Sequence, residues 1–108
     1  MENKTMSGQV DGAAELPRSR TRRVNVGGVA MGAGAPVVVQ SMLTAPTANP
    51  EAAIAQAKSL AEAGCEIVRA AIPNSSALDG FAQLCRACPV PVVADINFDH
   101  RLAVRACE

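Results

Sequence analysis

Five polar residues stand where apolar runs of this sequence stop, and they are the ones equipped for chemistry. Arg69 interrupts Ile67-Val-Arg-Ala-Ala-Ile72. Asp95 and Asn97 lie at the end of Val90-Pro-Val-Val-Ala-Asp-Ile-Asn97, and Gln40 and Ser41 follow Pro36-Val-Val-Val39. A permanent guanidinium inside a buried strand requires an anion. Two partners suit it: Asp95 on a neighbouring strand, or a phosphate-bearing ligand at the strand's C-terminal end. Ligands of α/β folds bind at that end. Asn97, Gln40 and Ser41 add amide and hydroxyl groups to the same rim. The sequence singles out no catalytic acid, base or nucleophile.

These residues need strands to carry them and helices to hold the strands parallel. Pro36 to about Gln40, Cys65 to about Ala71, and Val90 to about Ile96 read as three buried strands, rich in β-branched and small apolar residues. Helical patterning separates them. Asn49 is an N-cap, Pro50 suits the first helical position, and Glu51 favours the positive end of the helix dipole. That helix is predicted to run to about Ala63 before Gly64 stops it, with Ile54, Ala57 and Ala61 inward and Lys58 and Glu62 in water. Asn74 or Ser75 caps a second helix, whose inward face is Leu78, Phe81, Cys85 and Cys88. Pro89 ends it. A third begins near Phe98 or Asp99, with Asp99, like Asp79, a first-turn residue. Ahead of this βα pattern, Val24 and Val26 with the turn Gly27-Gly28 read as a hairpin. Strands alternating with helices imply a parallel sheet with right-handed crossovers.

Composition sets limits. Apolar residues make up 49% and aromatics only 2%, so Ala and Val must fill the core. Lys plus Arg equals Asp plus Glu at 10 each, which gives no reason to expect nucleic acid or an anionic membrane as partner. No apolar run approaches the roughly 20 residues that span a bilayer. The N-terminus has no signal-peptide pattern, so a cytoplasmic protein is expected. Met1 to about Arg20 is polar and aperiodic and reads as a disordered tail.

The remaining reactive side chains read as structural. Cys85-Arg-Ala-Cys88 falls at a helix C-terminal end, where the dipole opposes a thiolate, and its spacing puts both sulfurs on the apolar face. Cys65 and Cys107 read the same way, and no second Cys pair completes a zinc set, so no metal site is expected. His100, the only histidine, falls on the first turn of the last helix and reads as solvated. The glycines at 27, 28, 32 and 34 lack the spacing and the Lys-Ser/Thr of a phosphate loop.

Four segments also carry a family resemblance. Arg23-Val-Asn-Val-Gly-Gly-Val, Gly34-Ala-Pro-Val-Val-Val-Gln-Ser-Met42, Ala63-Gly-Cys-Glu-Ile-Val-Arg69 and Pro91-Val-Val-Ala-Asp-Ile-Asn-Phe-Asp-His-Arg101 resemble, in order and spacing, the N-terminal part of the 4-hydroxy-3-methylbut-2-enyl diphosphate synthase (IspG/GcpE) family. The resemblance implies a partial (β/α)8 TIM barrel over residues 21–108: a hairpin, then three βα units with parallel strands. It implies an isoprenoid-pathway oxidoreductase that reductively opens and dehydroxylates 2-C-methyl-D-erythritol 2,4-cyclodiphosphate. The family takes electrons from ferredoxin or flavodoxin through a 4Fe-4S cluster and forms homodimers. Its cluster ligands match none of the four cysteines here, so the iron–sulfur domain is expected to be absent and the chain to be a fragment without turnover of its own. By resemblance, Arg69 helps bind the substrate diphosphate, while Gln40, Ser41, Asp95 and Asn97 line the barrel mouth. Two positions depart from the family. Leu43-Thr44-Ala45 replaces a run richer in hydroxyls. Asn97 replaces a His and cannot gain a proton near neutral pH. A different phosphate-binding barrel, dihydropteroate-synthase-like, and a small non-enzymatic α/β binding module are the competing readings.

Overall fold

The computed structural model describes residues 20–108. Almost all of the expected tail therefore lies outside the described residues. The chain divides into two compact units, one up to Val37 and one from Val38 to Glu108.

In the first unit, β1 (Val24–Val26) and β2 (Val29–Met31) form an antiparallel hairpin with Val26 opposite Val29. The two-residue turn Gly27-Gly28 has φ of 57° and 99°. Positive φ at both central positions matches the right-handed twist of a two-residue hairpin and is costly for any side chain with a Cβ. The Asn25 side-chain oxygen accepts the Gly28 N–H at 2.7 Å and fastens the turn.

The second unit is a three-stranded parallel sheet in the order β3 (Gln40–Met42), β4 (Ile67–Ala71), β5 (Val92–Asp95). Helix α1 (Pro50–Glu62) follows β3, helix α2 (Leu78–Ala87) follows β4, and helix α3 (His100–Ala106) follows β5. A 3₁₀ turn, Ser75–Ala77, leads into α2. This is the β-α-β-α-β-α order that the alternating pattern predicts. Helix α1 starts and stops where its sequence says: Asn49 accepts the Ala52 N–H at 3.4 Å, Pro50 opens the helix, and Ala63 caps it.

The core lies between one face of the sheet and the helices. Val68, Ala70 and Ile72 pack there with Ala53 and Ala57 of α1, Phe81 and Leu84 of α2, and Leu102 of α3. Ile67, Val68, Ile72 and Leu84 are the largest fully buried side chains. Ala53 and Ala57 of α1 are fully buried there, which suits a chain poor in aromatics.

Two local expectations are corrected. Cys85 was expected on the inward face of α2 but is exposed, as is Cys107, while Cys65 is buried and Cys88 partly so. The inward set is Ala77, Gly80, Phe81 and Leu84, at i, i+3, i+4 and i+7. Of the predicted face, Phe81 is buried and Leu78 and Cys88 pack against the core partly buried, so only Cys85 departs from it. The first buried strand also shifts: Val37 and Val39 are 74% and 54% exposed, and pairing begins at Gln40. Ahead of it the chain is braced rather than laddered. The Glu66 carboxylate accepts the Val39 N–H at 2.9 Å, and the Val39 carbonyl accepts the Glu66 and Ile67 N–H groups at 2.8 and 3.2 Å.

Candidate functional site

The site is built at the C-terminal ends of β3, β4 and β5, which point the same way because the sheet is parallel. Alternation decides which side chains face which way. On β4, Val68 and Ala70 belong to the core, so Arg69 and Ala71 face the other side of the sheet. On β5, Val92 and Ala94 pack on the core, so Val93 and Asp95 share the face of Arg69.

Arg69 is level with Val93, and Ala71 with Asp95. Asp95 is thus two positions further up the sheet, and the long Arg69 side chain rises to meet it, with Nη2 3.2 Å from Asp95 Oδ2. The expected ion pair is present. It is not a closed one. The Arg69 side chain remains 42% exposed, against 19% for Asp95. A guanidinium carries five N–H donors in a planar fork. Asp95 therefore orients the fork and leaves part of it free to meet an anion.

Gln40 and Ser41 stand elsewhere. They were expected where the first strand ends, but they begin it. Gln40 is level with Ile67, four residues below the level of Asp95 and Ala71. At about 3.3 Å per residue this is about 13 Å down the sheet. Ser41 is level with Val68, so it takes the core-side face, opposite to Arg69. Asn97 lies beyond β5 and is exposed. Among the described residues, no side-chain hydrogen bond joins Gln40, Ser41 or Asn97 to Arg69 or Asp95. The structure thus brings together two of the five residues, keeps Asn97 on the adjoining loop, and sets Gln40 and Ser41 lower.

The rim also contains residues that the strand-end argument passes over. A cavity of about 250 Å³ opens between the β3–α1 loop and the segment after β4, lined among others by Thr44, Thr47, Ala71, Asn74 and Ser76. Gln56 of α1 fixes its loop wall. Its Oε1 accepts the N–H groups of Thr44 and Ala45 at 3.1 and 2.9 Å, and its Nε2 donates to Thr44 Oγ1 at 3.0 Å. The Thr44 hydroxyl, used there as an acceptor, keeps its own proton to donate. On the other wall Asn74 Oδ1 accepts the Ser76 N–H at 3.0 Å and a short bond from the Ser76 hydroxyl. A Gln halfway along an amphipathic helix carries no sequence signal for such a clamp, because its partners lie eleven and twelve residues away in a loop.

The β5–α3 loop closes the rim on the far side. Asp99 caps α3 by accepting the Arg101 N–H at 3.0 Å and pairs with Arg101 Nε at 3.2 Å. The side-chain and backbone hydrogen bonds from Arg101 hold the Asp99 carboxyl below its usual pKa. On α2, Cys85 is exposed at its surface but partly desolvated by its neighbours, and that desolvation, with the nearby Cys88, pushes its thiol upward, which is opposite to what a nucleophilic thiol needs.

A parallel sheet with its polar groups at the C-terminal rim fits many barrels. The comparison with known proteins decides the family. The GcpE TIM-barrel domain matches residues 21–108. The chain belongs to the GcpE family. Among curated relatives, a 4-hydroxy-3-methylbut-2-en-1-yl diphosphate synthase (flavodoxin) from Persephonella marina is 44% identical over 93 residues, covering 86% of this chain and 26% of its own length. The synthase of the same name from Natranaerobius thermophilus is 46% identical over 91 residues, covering 84% and 26%. That of Bifidobacterium longum is 44% identical over 92 residues, covering 85% and 23%. The chain spans about a quarter of the length of these relatives. A TIM-barrel domain accounts for the parallel βα order.

The residues described do not fit an iron–sulfur cluster. Among them no three His, Cys, Asp or Glu side chains are grouped to hold a metal ion. The buried Cys65 thiol already donates to the Ile67 carbonyl at 3.0 Å.

Proposed function

We propose that this chain supplies the diphosphate-binding side of a 4-hydroxy-3-methylbut-2-en-1-yl diphosphate synthase. The reaction of such an enzyme is the two-electron reductive opening and dehydroxylation of 2-C-methyl-D-erythritol 2,4-cyclodiphosphate. The relatives' names carry flavodoxin, which supports a flavodoxin-type electron donor. The 4Fe-4S cluster of the family would supply the electron relay, and no group among the residues described here would hold it. The chain's own residues bind and orient the anionic end of the substrate. A reducing cytoplasm suits the free thiols of Cys65, Cys85, Cys88 and Cys107.

The observation that carries this reading is the half-exposed guanidinium of Arg69, aimed by Asp95 at the C-terminal rim of a parallel sheet. Asp95 takes one edge of the fork, and the remaining N–H donors suit phosphate oxygens. Asp95 performs two tasks. It holds the fork of Arg69 in one orientation, and its negative charge keeps the cation from attracting anions indiscriminately. Thr44 and Asn97 offer neutral hydrogen bonds on either side. No competing reading has an observation in its favour.

Titration calorimetry with inorganic pyrophosphate tests it. The 108-residue chain is expected to bind pyrophosphate, and Arg69→Gln is expected to weaken that binding about tenfold or more, the loss of one charge-assisted contact. Equal affinity in the variant, or no binding by the unaltered chain, would overturn the proposal.

A further inference from the structure

A buried hydroxyl in the β3–α1 loop has no use within the fold. Thr47 is the only buried polar residue among those described, 4% exposed, and it lines the cavity of about 250 Å³ between that loop and the segment after β4. Its carbonyl is turned toward Gly80 of α2, which takes no part in the cavity wall, so the side chain is what remains to meet the space. Among the described residues, no hydrogen bond satisfies the Thr47 hydroxyl. Buried hydroxyls are nearly always paired, and one left unpaired costs the desolvation of the group. Valine would fill the same volume without an orphaned donor. The hydroxyl therefore points to a partner from outside the fold.

The rest of the wall narrows what that partner is. Two more donors are free beside Thr47. Thr44 Oγ1 accepts from Gln56 and keeps its own proton, and Asn74 spends its Oδ1 on Ser76 and keeps its amide N–H groups. The groups that would hold an anion are absent or taken. No charged side chain lines the cavity. Gln56 accepts the Thr44 and Ala45 N–H groups, the Asn74 side chain accepts the Ser76 N–H, and the Asn74 carbonyl accepts the Ala77 N–H. The remaining wall is Leu43 with alanines and prolines. Several waters would lack partners against it, since each needs two to four. An uncharged molecule with an apolar body and a carbonyl oxygen satisfies both parts of the wall. It must also be small, because the cavity falls below the roughly 300–1,000 Å³ of pockets for drug-sized ligands. We propose that this cavity is a second site, for a small uncharged carbonyl compound whose oxygen accepts the Thr47 hydroxyl proton. Neither Arg69 nor Asp95 lines it, so the site is independent of the diphosphate reading.

Acetamide and acetate separate charge from shape, since the two are nearly isosteric. Backbone amide shifts of the full chain are followed in a titration with each. Acetamide is expected to give saturable shifts at Thr47, Ala48 and Asn74 to Ala77, and acetate to bind there at least about fivefold more weakly. Thr47→Val is expected to weaken acetamide about fivefold, the loss of one neutral hydrogen bond, and to melt at or above the temperature of the unaltered chain. Thr47→Ser keeps the hydroxyl and is expected to bind acetamide within about twofold of the unaltered chain. Absence of saturation with acetamide would mean that the cavity holds water alone and would overturn the proposal. So would equal binding of acetate, or a Thr47→Val chain that binds acetamide undiminished. A lower melting temperature for Thr47→Val with unchanged acetamide affinity would assign the hydroxyl to the fold and overturn it as well.

Discussion

The two loops that flank the site are built on opposite plans. The β3–α1 loop is tied down: Gln56 makes three hydrogen bonds to Thr44 and Ala45, and Thr47 is 4% exposed beneath helix α2. The β5–α3 loop is anchored by Ile96 against the core and by the Asp99 cap, and between them it carries a positive φ and an uncovered aromatic ring at Phe98. The first spends its backbone amides on the fold. The second holds groups that the fold does not use. Loops at the ligand end of a βα fold divide in this way because a rigid wall and an available surface place opposite demands on the same few residues. Arg69 and Asp95 show the division within a single ion pair, since Asp95 is mostly covered and Arg69 is half open.

The difference can be broken from either side. The largest effect is expected at Gly80, where α2 passes so close to the β3–α1 loop that a Cβ would sit 2.0 Å from the Thr47 carbonyl oxygen. Backbone meets backbone there, so no side chain can swing aside. Gly80→Ala is expected to destabilise the chain by about 2–3 kcal/mol, an overpacking cost, and thermal melting would show a fall of about 10 °C or more. An unchanged melt would mean that the loop is not held as described. Next comes Gln56→Ala, which leaves the Thr44 and Ala45 N–H groups to water. A loss of about 1 kcal/mol is expected from chemical denaturation, along with faster amide exchange confined to residues 44 and 45. Uniform exchange along the chain would argue against a local clamp.

The sign should reverse on the other loop. Phe98→Gly is expected to gain up to about 1 kcal/mol, because the strained φ is released; denaturant midpoints would register it, and a loss would place the ring inside the fold's own packing. The smallest effect concerns pH. Asp99 has a carboxyl pKa depressed by Arg101. Its contribution is thus fully present above the unfolded-state value of about 3.9 and disappears as pH falls through the lower folded-state value. Helix α3 is expected to fray in that acid range, and Asp99→Asn is expected to flatten the dependence when followed by circular dichroism.

The legible parts of this fold were those set by local chemistry. The Asn49-Pro50-Glu51 start of α1 and the Gly27-Gly28 turn follow from capping and φ preferences that need only a few neighbouring residues. The ion pair of Arg69 and Asp95 was also legible, because a cation in an apolar strand has few ways to be satisfied. What escaped depended on partners distant in sequence. The valines before Gln40 look like a strand, yet pairing starts only where the chain comes into register with Ile67, and the Glu66 side chain stands in for the ladder before that. That shift carries Gln40 and Ser41 away from the rim. On α2 only Cys85 was misplaced, because it counted as apolar, while Gly80, with no side chain to score, is the residue that lets α2 approach the loop. Gln56 was invisible for the same reason: its partners are loop backbone amides.

The central claim is that an anionic ligand enters the rim at Arg69 and Asp95. Backbone amide chemical shifts of the 108-residue chain, followed through a pyrophosphate titration, test it most directly. The account predicts saturable shifts concentrated at Arg69 to Pro73's neighbours, at Asp95 to Asp99 and along the Leu43–Ala45 loop, with Gln40 and Ser41 silent. Shifts centred on other basic residues, such as Arg86 and Arg105, with Arg69 unmoved, would contradict it.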